Sequence, residues 1–241
     1  MKIVGYHHIT LKDFPGNVAA ICFIFGCQLR CPYCHNPNLV LFNNAEDYYK
    51  EFLEYVTLRS NMLDGVVISG GEPLMHDGVT ALITKIKHMG LKVKLDTNGI
   101  NNERLDHLLK ERLIDYIALD YKNHRIRLNE TVGIKKTNDE MYDQWKTSFE
   151  LLLANDIDFE VRTTVVKELH SINDLVNMAT ELKTIANSKT SFNWYIQNFE
   201  QNGPLINDHN PIKVKLSSYD QHELDCILKQ LKTITTNVYL R

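Results

Sequence analysis

Short apolar runs alternate along this chain with longer segments in which apolar residues recur at helical spacing. The runs at residues 18–25, 65–69, 92–97, 116–121, 159–165 and 192–199 predict six strands. Most are rich in Val, Ile, Phe and Tyr, and several are apolar throughout, the pattern of strands buried on both faces. The segment 45–62 carries Tyr48, Phe52, Tyr55 and Val56 on one helical face, and 79–89 carries Leu82, Ile83 and Ile86. Further helices are predicted over 102–112, 139–154 and 171–186, and a last one over 218–231 follows the sixth strand. Gly90 and Asn155 stand where helix C-terminal stops belong. Six β-then-α units imply an α/β fold with parallel strands and right-handed crossovers. Periodicity alone leaves open whether the sheet is doubly wound or a barrel. In either case the chemistry collects at the C-terminal ends of the strands.

The length of 241 residues fits one large domain, or one domain with a small extension, and 44% hydrophobic residues supply a sizeable core. Charged residues are scattered and the formal net charge is −3, so no nucleic-acid or other polyanion partner is expected. The first eight residues do not read as a signal peptide, because His7 and His8 interrupt a short apolar stretch. The longest apolar run, 18–25, covers about half of a bilayer span. A cytoplasmic protein without a membrane partner is the expectation.

Cysteine changes the picture. Five are present: Cys22, Cys27, Cys31, Cys34 and Cys226. An odd number without a secretion signal argues against a disulfide framework. Three of them follow the first strand as C-x3-C-x2-C, in Gly26-Cys27-Gln28-Leu29-Arg30-Cys31-Pro32-Tyr33-Cys34-His35-Asn36-Pro37. Three thiolates on a tight loop can cap three irons of a 4Fe–4S cube, leaving the fourth iron open. A structural zinc site with His35 or a distant fourth ligand is the alternative, although no second C-x2-C exists to pair with the first. Cys22 reads as a core residue of the first strand. Cys226, on the last helix with Leu224, Ile227 and Leu231, is expected in the core as well. Two leftover cysteines cannot hold a second cluster.

The other strand tips are polar. The second ends in Ser69-Gly70-Gly71-Glu72-Pro73, where paired glycines admit a ligand to the backbone. The third ends in Asp96-Thr97-Asn98-Gly99, the fourth in Asp120-Tyr121-Lys122, and the fifth carries Arg162. One such residue is a solvated strand end as readily as a site. Their recurrence at consecutive tips matches the zwitterionic head of an amino acid. Glu72 and the Gly70 carbonyl suit its ammonium, and Arg162 and Lys122 suit its carboxylate.

Together these residues resemble the radical S-adenosylmethionine superfamily. The signature is C-x3-C-x-aromatic-C, with Tyr33 as the aromatic, followed by G-G-E-P. Within it the chain is similar to glycyl radical enzyme activases, above all those of anaerobic ribonucleoside-triphosphate reductases and more distantly those of pyruvate formate-lyase. Asp13-Phe14-Pro15-Gly16, Cys34-His35-Asn36-Pro37, D-T-N-G and Leu119-Asp120-Tyr121-Lys122 carry that resemblance. It implies an open partial (β/α)6 barrel in a single domain, with a core over about 10–200 and a C-terminal helical extension over about 201–241. It further implies that Cys27, Cys31 and Cys34 hold a 4Fe–4S cluster whose open iron chelates S-adenosylmethionine. One electron then gives methionine and a 5′-deoxyadenosyl radical, which takes a hydrogen atom from a glycine of the partner enzyme.

Carried over by position, Tyr33 and His35 border the adenine. Gly70, Gly71 and Glu72 receive the amino group. Asp120, Tyr121, Lys122 and Arg162 hold the ribose and carboxylate end. Gln197 stands near the place of a histidine in the relatives. Asp96, Thr97 and Asp120 correspond to residues that hold a monovalent cation in the pyruvate formate-lyase activases. Asp13 corresponds to an aspartate that contacts the glycine loop of the partner. A glycyl radical enzyme and a flavodoxin- or ferredoxin-type electron donor are the implied partners. A small-molecule radical enzyme such as a 7-carboxy-7-deazaguanine synthase, and a cluster or zinc module that only carries electrons or braces a partner, are the competing readings.

Overall fold

The computed structural model describes residues 1–41, 45–134, 139–187, 191–211 and 213–241. Eight strands form one sheet: β1 (Ile3–Thr10), β2 (Ala19–Ile24), β3 (Gly65–Gly70), β4 (Lys92–Thr97), β5 (Tyr116–Asp120), β6 (Asp158–Val165), β7 (Asn193–Asn198) and β8 (Val238–Leu240). Their order in the sheet is their order in the chain. β1 runs antiparallel to β2, and every later neighbour pair is parallel. A doubly wound sheet reverses its strand order at a switch point. Here every crossover steps in the same direction, which places the helices on one face and curls the sheet around the other. No pairing joins β1 to β8 among the described residues, so the sheet is open, as expected of a partial barrel.

The helices are α1 (Pro37–Leu41), α2 (Tyr49–Arg59), α3 (Gly78–His88), α4 (Asn102–Lys110), α5 (Leu128–Thr131), α6 (Asp139–Ala154), α7 (Ile172–Ala186) and α8 (Gln221–Leu231). On α3 the residues Val79, Leu82, Ile83 and Ile86 are all buried, and burying a side chain of this size contributes about 1.5–3 kcal/mol. Ser171 with Asp174, and Asp220 with Glu223, form reciprocal caps that start α7 and α8. Around the outside α4 packs on α6, α6 on α7 and α7 on α8.

The six strands legible in the sequence are β2 to β7. To the expected C-terminal helical extension, represented by α8, the structure adds β8, which pairs with β7. The expectation for Cys226 is corrected: it is exposed. Leu224, Ile227 and Leu231 make the buried stripe of α8, and a residue one position from Ile227 points about 100° away from it.

Along β2, Ala20, Cys22 and Ile24 face the helices, whereas Ala19 and Ile21 face the concave side. There they pack with Phe14 and Val67, and Phe23 and Tyr116 close over them. This apolar plug fills the lower part of the curled sheet. The strands' C-terminal ends stay open above it.

Candidate active site

The loop after β2 is pinned on three sides. Gly26 N–H donates to the Leu39 carbonyl at 2.8 Å, and its own carbonyl accepts from Glu72 N–H at 2.7 Å. A side-chain carbon at Gly71 would lie 2.0 Å from that carbonyl oxygen, so only glycine allows the G-G-E-P turn to approach the cysteine loop this closely. Cys34 N–H donates to the Cys31 carbonyl at 3.0 Å, which folds the loop on itself. From the C-terminal segment, Ile206 N–H reaches the Cys34 carbonyl at 3.1 Å and Asn207 N–H the Pro32 carbonyl at 3.0 Å. The contribution of this distant segment to the loop leaves no trace in the cysteine spacing.

Above the plug lies a cavity of 580 Å³. Cys27, Cys31 and Cys34 line one wall, with Tyr33 and His35. Asp96, Thr97, Asp120, Lys122 and Arg162 line the opposite wall, and Gly70, Gly71 and Gln197 stand between. Burial pushes the Cys27 thiol up to about 12 and the Cys31 thiol up to about 11. Such thiols ionise when a metal supplies the compensating charge. Among the described residues no three His, Cys, Asp or Glu converge closely enough to hold a single metal ion. The donor set fits a larger group: three thiols on one loop suit three corners of a cube, and the cavity leaves room for a second ligand beside it.

The opposite wall is a layer of paired charges. Arg162 Nε donates to Asp120 Oδ1 at 3.0 Å and its Nη1 to Asp96 Oδ2 at 3.3 Å. Lys122 Nζ donates to Asp120 Oδ2 at 2.9 Å. Lys94 Nζ donates to Asp96 Oδ1, and Ser69 Oγ to Asp96 Oδ2 at 2.9 Å. Burial alone would raise both aspartates, but Arg162 and Lys94 hold Asp96, and Lys122 and Arg162 hold Asp120, below the usual carboxylate range. Beyond them Arg241 grips Glu160 with two bonds of 2.8 Å and lies over the Tyr195 ring at 4.0 Å.

Three residues singled out in the sequence stand elsewhere. Glu72 is buried and turned away from the cavity, accepting from Leu74 N–H at 3.0 Å, Thr97 Oγ at 2.7 Å and Asn98 N–H at 2.7 Å. Burial raises its carboxyl to about 7 against these donors. Its carboxylate therefore ties two strand tips together, and the backbone of Gly70 and Gly71 is what the cavity meets. Tyr121 follows Asp120, so it points to the opposite face, where it stacks on Trp145 at 4.1 Å and donates to Glu181 at 2.6 Å. Asp13 sits at the far end of the strands. It accepts from Thr10 Oγ at 2.5 Å, and Thr10 pairs with Ala19 at the start of β2. A contact between Asp13 and a peptide in the cavity is not compatible with that place. Lys94 carries no signal in the sequence, because a lysine in a strand ordinarily reaches solvent, whereas Ser69 and Asn98 stand within the strand-tip motifs and Arg241 follows β8.

This arrangement is accompanied by a family match: residues 21–182 match the radical SAM superfamily, and the chain belongs to it. Its relatives include activases. A provisionally named glycyl-radical enzyme activating enzyme of Methanocaldococcus jannaschii is 31% identical over 75% of either chain. The pyruvate formate-lyase-activating enzyme of Clostridium pasteurianum is 33% identical over 51% of this chain and 52% of its own, so the match spans about half the length of that relative. Among solved structures, a radical SAM methyltransferase from Sphaerobacter thermophilus superimposes with a TM-score of 0.67 at 12% identity, over 97% of this chain and 68% of that one. The Streptococcus suis protein SuiB bound to S-adenosylmethionine gives 0.65 at 16%, over 92% and 49%. These likenesses show the shared fold. Members of the superfamily use S-adenosylmethionine and a 4Fe–4S cluster. Among the described residues no helix is long and apolar enough to cross a membrane.

Proposed function

We propose that this chain is an activase that cleaves S-adenosylmethionine reductively and installs a glycyl radical on a partner enzyme, the anaerobic ribonucleoside-triphosphate reductase. The observation that carries the reading is the meeting of three loop thiols with a wall of paired charges in one cavity, in a chain related to activating enzymes. When bound, the cluster supplies the electron that splits the sulfonium. Cys27, Cys31 and Cys34 hold it, and their loop is fixed by Gly26, Ile206 and Asn207. The Gly70–Gly71 backbone receives the methionine ammonium, and Lys122 with Arg162 receives its carboxylate. Tyr33, His35 and Gln197 border the nucleoside. The open edge of the sheet admits a glycine held in a polypeptide loop, which a small metabolite would not require.

The choice of the reductase rests on the motifs shared with its activating proteins. A pyruvate formate-lyase-type partner is the second reading, favoured by the relatives of that name. The test is anaerobic reconstitution with iron and sulfide, reduction, and incubation with each candidate partner. A glycyl radical signal on the reductase, with 5′-deoxyadenosine formed in proportion, is the expected result. A signal on pyruvate formate-lyase alone would move the assignment to that partner. No 5′-deoxyadenosine with any partner would refute the activase reading.

A further inference from the structure

The aspartates that a monovalent cation would use are already occupied. Asp96 Oδ1 takes Lys94, and its Oδ2 takes Ser69 and Arg162. Asp120 Oδ1 takes Arg162 and its Oδ2 takes Lys122. Thr97 Oγ donates to Glu72 Oε1 at 2.7 Å and accepts from Gly99 N–H at 3.0 Å. An alkali ion needs oxygen lone pairs directed at one point, and here N–H and O–H donors point into those positions. The residues do not fit the ion.

Lys94 explains the difference. It lies on β4 between Val67 of β3 and Tyr116 of β5. It is only 2% exposed, and its ammonium sits 5.9 Å from the centre of the Tyr116 ring. It reaches Asp96 from the plug side, the side away from the cavity. An apolar residue would pack against Val67 without the cost of desolvating an ammonium. The charge count shows what the lysine adds. Lys94, Lys122 and Arg162 carry three positive charges and Asp96 and Asp120 two negative ones, leaving one positive charge to meet a ligand carboxylate. Without Lys94 the layer is neutral: Lys122 still offsets Asp120, but Arg162 becomes the one cation left on Asp96.

We propose that Lys94 is a built-in counter-ion: its ammonium on Asp96 takes the place of an alkali cation, so this enzyme binds S-adenosylmethionine without needing Na⁺ or K⁺. Lys94 is thus a positioning residue that acts through Asp96 and Arg162. The inference rests on the reading of the cavity as an S-adenosylmethionine site. At an effective dielectric constant of about 20, loss of one unit charge acting over about 10 Å weakens anion binding by about tenfold.

The test uses the cluster-reconstituted protein in choline chloride, NaCl or KCl at equal ionic strength. Two quantities are read: S-adenosylmethionine affinity, from the paramagnetic signal of the reduced cluster, and the melting temperature without ligand. Wild type should give the same values in all three salts. Lys94→Met should bind about tenfold more weakly in choline chloride, and should recover affinity and melt higher in NaCl or KCl. Lys94→Arg, which keeps the charge, should behave as wild type. If Lys94→Met does not fold, Lys94→Gln carries the same expectations. Alkali-ion dependence in wild type would overturn the proposal. So would a neutral variant that is weak in every salt, which makes Lys94 a brace only, or one with wild-type affinity in choline chloride. Wild type that never responds to S-adenosylmethionine would remove the site reading and this inference with it. Intact binding with the wrong salt pattern removes the inference alone.

Discussion

Replacing Gly71 by Ala tests whether the contact between the G-G-E-P turn and the cysteine loop sets the geometry of the site. The added carbon would lie 2.0 Å from the Gly26 carbonyl oxygen and 2.6 Å from its carbon. Both are backbone atoms, so no side-chain rotation relieves the clash. A side-chain carbon keeps at least 3.0 Å from such atoms, and the two segments must therefore separate by about 1 Å, the difference between 3.0 and 2.0 Å. Overpacking of this kind costs about 1–3 kcal/mol, and each kcal/mol lowers the melting temperature of a chain this size by about 2–4 °C. The catalytic effect should be larger, because a misplacement of about 1 Å at a reacting centre costs about 100-fold in rate. The separation also stretches the bond from Glu72 N–H to the Gly26 carbonyl, now 2.7 Å. The assay measures iron content, melting temperature and 5′-deoxyadenosine formation on the same preparation. The expected pattern is near-normal iron, a modest loss of stability and a large loss of cleavage. Normal cleavage in Gly71→Ala would refute the argument that this approach positions the loop.

Alanine at Cys27, Cys31 or Cys34 should abolish iron uptake and cleavage, whereas Cys226→Ser should change neither, since Cys226 is exposed on α8. Iron and acid-labile sulfide analysis after reconstitution decides this. Arg162→Ala should keep the cluster but weaken S-adenosylmethionine binding, because truncating one partner of a buried charged pair costs about 2–5 kcal/mol; titration of the reduced cluster's paramagnetic signal measures it, and unchanged affinity would remove Arg162 from the site. His170 supplies a pH prediction. It is buried, accepts from Val166 N–H at Nδ1 and meets the Lys122 carbonyl through Nε2 at 2.7 Å, so it is neutral with the proton on Nε2. Burial lowers it from 6.5 to about 4. The unfolded chain then binds the extra proton more readily, so stability falls as pH drops from 6.5 towards 4. The loss grows to a few kcal/mol across that range, at about 1.4 kcal/mol for each pH unit. Urea unfolding across that range should show a slope that His170→Gln lacks.

The elements easiest to see in the sequence were those buried on both faces. β2, β3 and β5 have near-continuous apolar runs because helices cover one side and the plug or cavity the other, whereas β4, β6 and β7 set polar residues between apolar ones. β1 is not legible because Gly5, His7 and His8 break its apolar pattern, as an edge strand with one exposed face permits. β8 has three residues, too few for a pattern, and gains its place by pairing with β7 and burying Val238. In the site, the cysteine spacing and the charged strand tips were legible because polar residues ending apolar strands have no role in packing. The direction of each side chain was not. Glu72 looked ligand-facing but serves as a buried acceptor for three donors. Tyr121 falls on the wrong side of a two-residue alternation. Asp13 shares a motif with residues near a substrate, yet precedes a strand whose far end carries the chemistry. Nothing in the sequence marks Lys94, because lysine in a strand ordinarily reaches solvent.

The two walls of the cavity are assembled from unequal lengths of chain. Cys27, Cys31 and Cys34 belong to one short loop, while Asp96, Asp120 and Arg162 arrive on three successive strands, and the turn bracing the loop comes only with Ile206 and Asn207. During synthesis the thiols therefore emerge before the sheet that shields them. An emerging chain carries three unprotected cysteines through the whole growth of the sheet, and pairing parallel strands is slow because each waits for a long crossover. Oxygen or peroxide met in that interval reaches all three thiols, of which the finished fold buries Cys31 and half-buries Cys27 and Cys34. Heterologous production should thus lose cluster-competent protein mainly from the nascent pool, and anaerobic expression should recover more competent chain than reducing a purified, folded sample afterwards.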